Sequence, residues 1–124
     1  MRVLLLAALA TVATPAEAAD WRYLTANAVG GQVYYDATSI QRTGNKARLW
    51  IRVDHSRDRS TRAREVRELW SYDCGAQTTL ALSSISYLPN GAILAQRVLA
   101  DDPFDYTPVI PESIAETAMR LVCR

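Results

Sequence analysis

Two cysteines in a chain that opens with an export signal constrain this sequence more than any other feature. Arg2 is followed by an apolar run from Val3 to about Ala13, then Pro15 and the small-residue stretch Ala16-Glu17-Ala18. That pattern predicts a secretory signal peptide over residues 1–18. Cleavage after Ala18 places alanine at both recognition positions, whereas cleavage after Ala19 would place the charged Glu17 at one of them, so the first is preferred. In an oxidising compartment Cys74 and Cys123, the two cysteines present, have one possible pairing, and a disulfide is expected. The loop between them is 49 residues long, for which chain entropy gives a stabilisation of roughly 4 kcal/mol. They lack C-x-x-C spacing, so the bridge reads as structural rather than redox-active.

The second cysteine closes a segment with helix signals. Ser113-Ile114-Ala115-Glu116 reads as a capping box, in which the Ser113 hydroxyl accepts from the Glu116 N–H and the Glu116 carboxylate reaches back to the Ser113 N–H. Beyond it Ile114, Ala118, Leu121 and Val122 fall on one apolar stripe of a short helix. Cys74 ends an alternating run, so a Cys74–Cys123 bridge would clamp this helix onto a sheet.

Six strands are predicted before the helix. Trp21 to Asn27 is a first, mixed strand, ended by Gly30-Gly31; Gln32 to Thr38 is a second, with Tyr34 and Tyr35 on opposite faces and Asp36 capping the turn that follows. Arg42-Thr43-Gly44-Asn45 reads as turn chemistry. Lys46 to His55 alternates most clearly, with Ala47, Leu49, Ile51 and Val53 facing a core and Lys46, Arg48, Trp50, Arg52 and Asp54 facing water. After a polar loop, Ser56 to Thr61, a fourth strand runs from Ala63 to Cys74 with Val66, Trp70, Tyr72 and Cys74 on the covered side, interrupted by Glu68. Thr78 to Leu88 is the fifth, with Leu80 and Leu82 inward. Pro89-Asn90-Gly91 turns the chain into a sixth, Ala92 to Ala100, for which an amphipathic helix is the alternative. Phe104 to Ile110 is expected to cross, extended, to the helix start. The fold class is therefore α+β: an antiparallel meander of about six strands with a C-terminal helix packed on one face and tethered by a disulfide. Residues 19–124, about 106 of the 124, suit one domain.

Several function classes are set aside by composition and spacing. With 14 Lys and Arg against 13 Asp and Glu, the chain lacks the strong basic excess of a nucleic-acid binder. The apolar leader is shorter than the roughly 20 residues that span a bilayer, and no cysteine near the cleavage site offers a lipid acceptor, so neither a transmembrane segment nor a lipid anchor is expected. His55, the single histidine, has no partner visible in the spacing; Asp101, Asp102 and Asp105 read as turn chemistry rather than calcium ligands; Gly30-Gly31 lacks the rest of a phosphate loop. No metal, cofactor or catalytic set can be named, and an enzyme is not expected.

One cluster does suggest binding. Arg57, Arg59, Arg62, Arg64 and Arg67 lie within a dozen residues, and Arg48, Trp50 and Arg52 project from the wet face of the adjoining strand. Arginine forks onto carboxylate, sulfate or phosphate and stacks on aromatic rings. The candidate ligand surface is therefore Arg48, Trp50, Arg52, Arg64 and Arg67, for a protein or an acidic polysaccharide. The alternative is a solvated hairpin whose field is neutralised by Asp54, Asp58, Glu65 and Glu68.

An ordered set of residues resembles the bacterial surface-adhesin protein E family: Trp21, Gly31-Gln32-Val33-Tyr34-Tyr35-Asp36 with Ser39-Ile40, Leu49-Trp50, Asp73-Cys74, Asn90-Gly91, Pro111 with Ser113, and the last Cys123. The resemblance covers essentially all of residues 19–124. It implies a curved antiparallel sheet whose concave side holds a disulfide-tethered helix, and a surface protein of the adhesin kind that binds host matrix or plasma proteins. The family's best-known member is an outer-membrane lipoprotein, and the lipid-accepting cysteine is where this sequence departs from it. The expectation is an exported, non-enzymatic binding protein, periplasmic or at the cell surface, that engages a host or envelope macromolecule; the competing expectation is an envelope accessory module with no adhesive role. Exposed strand edges leave both a monomer and a weak homodimer open.

Overall fold

The alternation in the sequence becomes one antiparallel sheet in the computed structural model, which describes residues 18–124. Up to residue 17, the expected signal peptide lies outside the described residues. The strands are β1 (Trp21–Ala26), β2 (Gln32–Asp36), β3 (Gln41–Thr43), β4 (Lys46–Asp54), β5 (Glu65–Asp73), β6 (Thr78–Tyr87), β7 (Ile93–Val98) and β8 (Thr107–Pro108), and the helix is α1 (Ile114–Val122). Their order is β1-β2-β4-β5-β6-β7, with β3 beside β4 and β8 beside β6. The expected six strands are thus eight. All six are present, and the two additions come from segments read as turn and as linker.

Both additions fill the free half of a long strand. β2 pairs with the Ile51–Asp54 end of β4, and β3 pairs with its other end, Lys46–Arg48. Likewise β7 takes the Ser83–Tyr87 end of β6 and β8 takes Thr78–Thr79. The turn expected over Arg42 to Asn45 shrinks to Gly44-Asn45, because a left-handed glycine (φ +57°) lets two residues reverse the chain and frees Arg42 and Thr43 to pair. Similarly, the segment expected to cross extended from Phe104 holds a short 3₁₀ turn, Pro103–Asp105, capped by the Asp102 carboxylate, before β8. Asp36 caps the 3₁₀ turn Ala37–Ser39, accepting from the Thr38 N–H and hydroxyl, as the sequence predicts.

One face of the sheet is closed by α1. Val33, Ala47, Leu49, Ile51 and Tyr72 form a single buried cluster with Ala118 and Val122 of the helix, and Leu24, Tyr35, Trp70 and Ile114 pack around it. The Cys74–Cys123 disulfide ties the helix end to the strand end, with Cα atoms 5.5 Å apart. At the helix start the Ser113 hydroxyl accepts from the Glu116 N–H (3.2 Å). The reciprocal half of the box is shifted by one residue, since the Glu116 carboxylate accepts from the Glu112 N–H (3.3 Å), not from Ser113. Two further bonds lock the layers. The Tyr72 hydroxyl, whose pKa burial pushes far upward so that it remains a donor, bonds the Ala115 carbonyl (2.9 Å). Arg42 donates to the Val122 carbonyl (2.7 Å), which places a cation at the negative end of the helix dipole. On β6, Leu82 is buried, while Leu80, expected inward, lies opposite Ser71 on the face away from the helix and is half-buried there. Leu82 is the extra residue of a bulge opposite Leu69 and Trp70, and that extra residue breaks the simple alternation.

Candidate functional site

The other face of the same strands carries the candidate site. Because side chains alternate, β4 sends Lys46, Arg48, Trp50, Arg52 and Asp54 away from the helix. Register then sets their neighbours: Tyr23 lies opposite Tyr34, Tyr34 opposite Arg52, Arg52 opposite Arg67, and Arg67 opposite Ile85, a continuous row across five strands. Two arginines directly opposite one another on paired strands repel, so their retention requires compensation.

The compensation has two parts. Glu65 reaches both guanidinium groups, at 3.4 Å from Arg52 Nη1 and 3.1 Å from Arg67 Nε. Aromatic rings supply the rest: Arg52 lies over Tyr34 (4.7 Å to the ring centre) and Trp21 (5.2 Å), and Arg67 over Trp21 (5.8 Å) and Tyr87 (5.5 Å). The result is an alternation of ring and cation, Tyr34, Arg52, Trp21, Arg67, Tyr87, drawn from five strands. Stacking occupies guanidinium faces and leaves N–H edges for acceptors. Arg52 Nε is buried without a hydrogen-bond partner, and a guanidinium carries five N–H donors in all.

Beside this row opens a cleft of about 510 Å³, lined by Arg52, Asp54, Arg64, Glu65, Arg67 and Tyr87, with the Leu88–Gly91 turn at its rim. Three guanidinium groups face two carboxylates there. Asp54 is held below the ordinary carboxylate range by the Ser56 N–H and hydroxyl, then by Arg64 and Arg52. The cleft therefore keeps a cationic excess.

Of the five residues singled out for the surface, Arg52, Arg64 and Arg67 come together at this cleft. Trp50 is half-buried on the same face, opposite Leu69. Arg48 lies apart, bonded to Asp101 and lining a separate cleft with Gln41, Thr43 and Lys46. There the Tyr106 hydroxyl bridges Asp101 and Ser71 (2.7 Å each) under the Lys46 ammonium, and Tyr106, ahead of Arg48, keeps the Asp101 carboxyl below its usual range. Arg57, Arg59 and Arg62 are exposed on the loop. Of the four acids expected to neutralise the patch, Glu65 and Asp54 do so. Asp58 turns instead to Ser60 and His55, and Glu68 lies on the helix side, accepting from the Trp70 indole N–H (2.9 Å). No group of three or more His, Cys, Asp or Glu among the described residues could hold a metal ion.

Sequence reasoning missed the aromatic half of the site. Trp21, Tyr34 and Tyr87 are distant from the arginine run in the chain, and only strand order brings them to it. A signal existed for Tyr34, since alternation placed it opposite the core-facing Tyr35.

No helix among the described residues is long and apolar enough to cross a membrane. No curated protein matches the chain in sequence. The family described as surface-adhesin protein E matches residues 21–124, from Trp21, the middle member of the ring-and-cation row, to the residue after Cys123. The strands, the tethered helix and the open face all lie within that match, and the chain belongs to the surface-adhesin protein E family.

Proposed function

We propose that this is an exported, non-enzymatic binding protein of the surface-adhesin kind, which engages a host or envelope macromolecule with the face of its sheet opposite the helix. The observation that carries this reading is the uncovered row of rings and guanidinium groups from Tyr34 to Tyr87. Trp, Tyr and Arg are the side chains that dominate binding energy at protein surfaces. A face with no binding task would more simply carry short polar residues. Export is supported by the leader read at residues 1–18 and by the disulfide. The processed chain, residues 19–124, acts as one domain, a monomer or a weak homodimer paired along the exposed strand β7.

One observation favours a second reading, an envelope accessory module with no adhesive role: Glu65 already answers both Arg52 and Arg67. Solid-phase binding of the purified exported protein to matrix proteins, heparin and envelope polysaccharide separates the two. Saturable binding that falls when Arg52 and Arg67 are both changed to serine supports the first reading. An absence of saturable binding to every one of them abandons adhesion and leaves the accessory module.

A further inference from the structure

We infer that the cleft beside the ring-and-cation row takes an acidic glycan, a polysaccharide segment bearing uronate carboxylates or sulfates. This rests on the proposed binding role of the same face and names its ligand chemistry. The row supplies two things at once. Arg52, Arg64 and Arg67 outnumber the carboxylates of Asp54 and Glu65 around the cleft, so a bound anion completes the charge balance. Glu65 engages Arg67 through Nε alone and Arg52 through Nη1, which leaves the Nη pair of Arg67 as a planar donor fork for a carboxylate or sulfate. Arg67 is the accessible member of the pair, its side chain 42% exposed. Next to the fork, the Tyr87 ring lines the cleft wall, a flat apolar surface of the kind on which the C–H face of a sugar ring settles.

An acidic sugar presents an anion and a flat apolar face within one ring, and that combination matches a guanidinium flanked by aromatic rings. An acidic peptide can also offer carboxylates to an arginine cluster, but it brings no flat sugar face for the Tyr87 ring that lines the cleft on the face of the paired strands β4, β5 and β6. Its volume of about 510 Å³ falls within the roughly 300–1,000 Å³ of sites for small ligands. Glu65 is a positioning residue here: it lines the cleft and holds both guanidinium groups.

Calorimetric titration of the exported protein with an oligogalacturonate hexamer, its methyl-esterified neutral form and a heparin-derived hexasaccharide tests this. Binding of either acidic probe with no binding of the ester is expected, and the probe preferred distinguishes carboxylate from sulfate. Arg67→Ser should weaken that binding about tenfold to a hundredfold, Arg67→Lys less, because the charge stays and the fork goes. Tyr87→Ala should cost about fivefold, and Arg48→Ser should change nothing. Unaltered thermal midpoints of the Arg67 variants exclude misfolding, with Arg67→Lys as the milder check. Equal binding of the ester, or undiminished binding by both Arg67 variants, overturns the glycan site. Saturable binding to a matrix protein with no response to any glycan also overturns it while leaving the binding role intact; silence towards all of them overturns both.

Discussion

The two faces of β4 are built from alternate residues of one nine-residue strand, and they solve different problems. Towards the helix, Ala47, Leu49 and Ile51 are fully buried and meet Ala118 and Val122. Away from it, Arg48, Trp50 and Arg52 keep partial exposure and are held by Asp101, by the neighbouring strand and by the ring-and-cation row. The first face owes its free energy to removing apolar area from water. Charge and ring contacts on the second contribute little to folding because solvent screens them. The same backbone can therefore carry stability on one side and recognition on the other, with little interference between them.

Substitutions can break or sharpen that contrast. The largest effect is expected on the closed face: replacing Cys123 by serine removes the 49-residue loop closure and should lower unfolding free energy by roughly 4 kcal/mol, read by urea denaturation with and without reductant. Leu49→Ala empties a fully buried site and should cost about 2–5 kcal/mol in the same measurement. Removing one hydroxyl, Tyr72→Phe, breaks the bond to Ala115 and should cost about 1 kcal/mol. On the open face Arg67→Ser should cost less than about 1 kcal/mol, since its ion pair is partly exposed. A loss as large as that of Leu49→Ala would mean that the open face is a second core, and the contrast would fail.

Acid gives the smallest and most distributed effect. Asp101, Asp54 and Asp36 all have pKa values below the ordinary 3.8; for Asp36 the Thr38 hydroxyl and the N–H groups of Asp20 and Thr38 outweigh the opposing push of burial. A carboxyl with a depressed folded-state pKa contributes stability that is fully present above its unfolded value and is lost as pH falls through the folded value. Thermal midpoints should therefore hold steady above about pH 5 and fall below about pH 4. Asp101→Asn should flatten part of that fall. It should leave binding at the Arg67 cleft unchanged, since Asp101 lies with Arg48.

Much of the closed face was legible in advance. The period of two along Lys46–Asp54 named its core residues, the cysteine pair named the tether, and Ser113 named the helix start. The misses share one cause. β3 and β8 have three and two residues, too short to show any period, and they form because β4 and β6 each leave half an edge unpaired. The misplaced Leu80 follows from a bulge, which shifts the phase of one strand against its neighbour without marking either sequence.

The amino-acid sequence by itself determined which residues of β2, β4 and β5 point to which side, where most of the turns fall and which sulfur atoms join, because these depend on local period, turn chemistry and the count of cysteines. Tertiary structure decided which strands lie side by side and in what register, and so brought Trp21, Tyr34 and Tyr87 to Arg52 and Arg67, and Glu65 rather than Glu68 between the two guanidinium groups. Those neighbours are set by hydrogen bonding between segments far apart in the chain. Alternation tells a side chain which way to face, and only pairing tells it whom it meets.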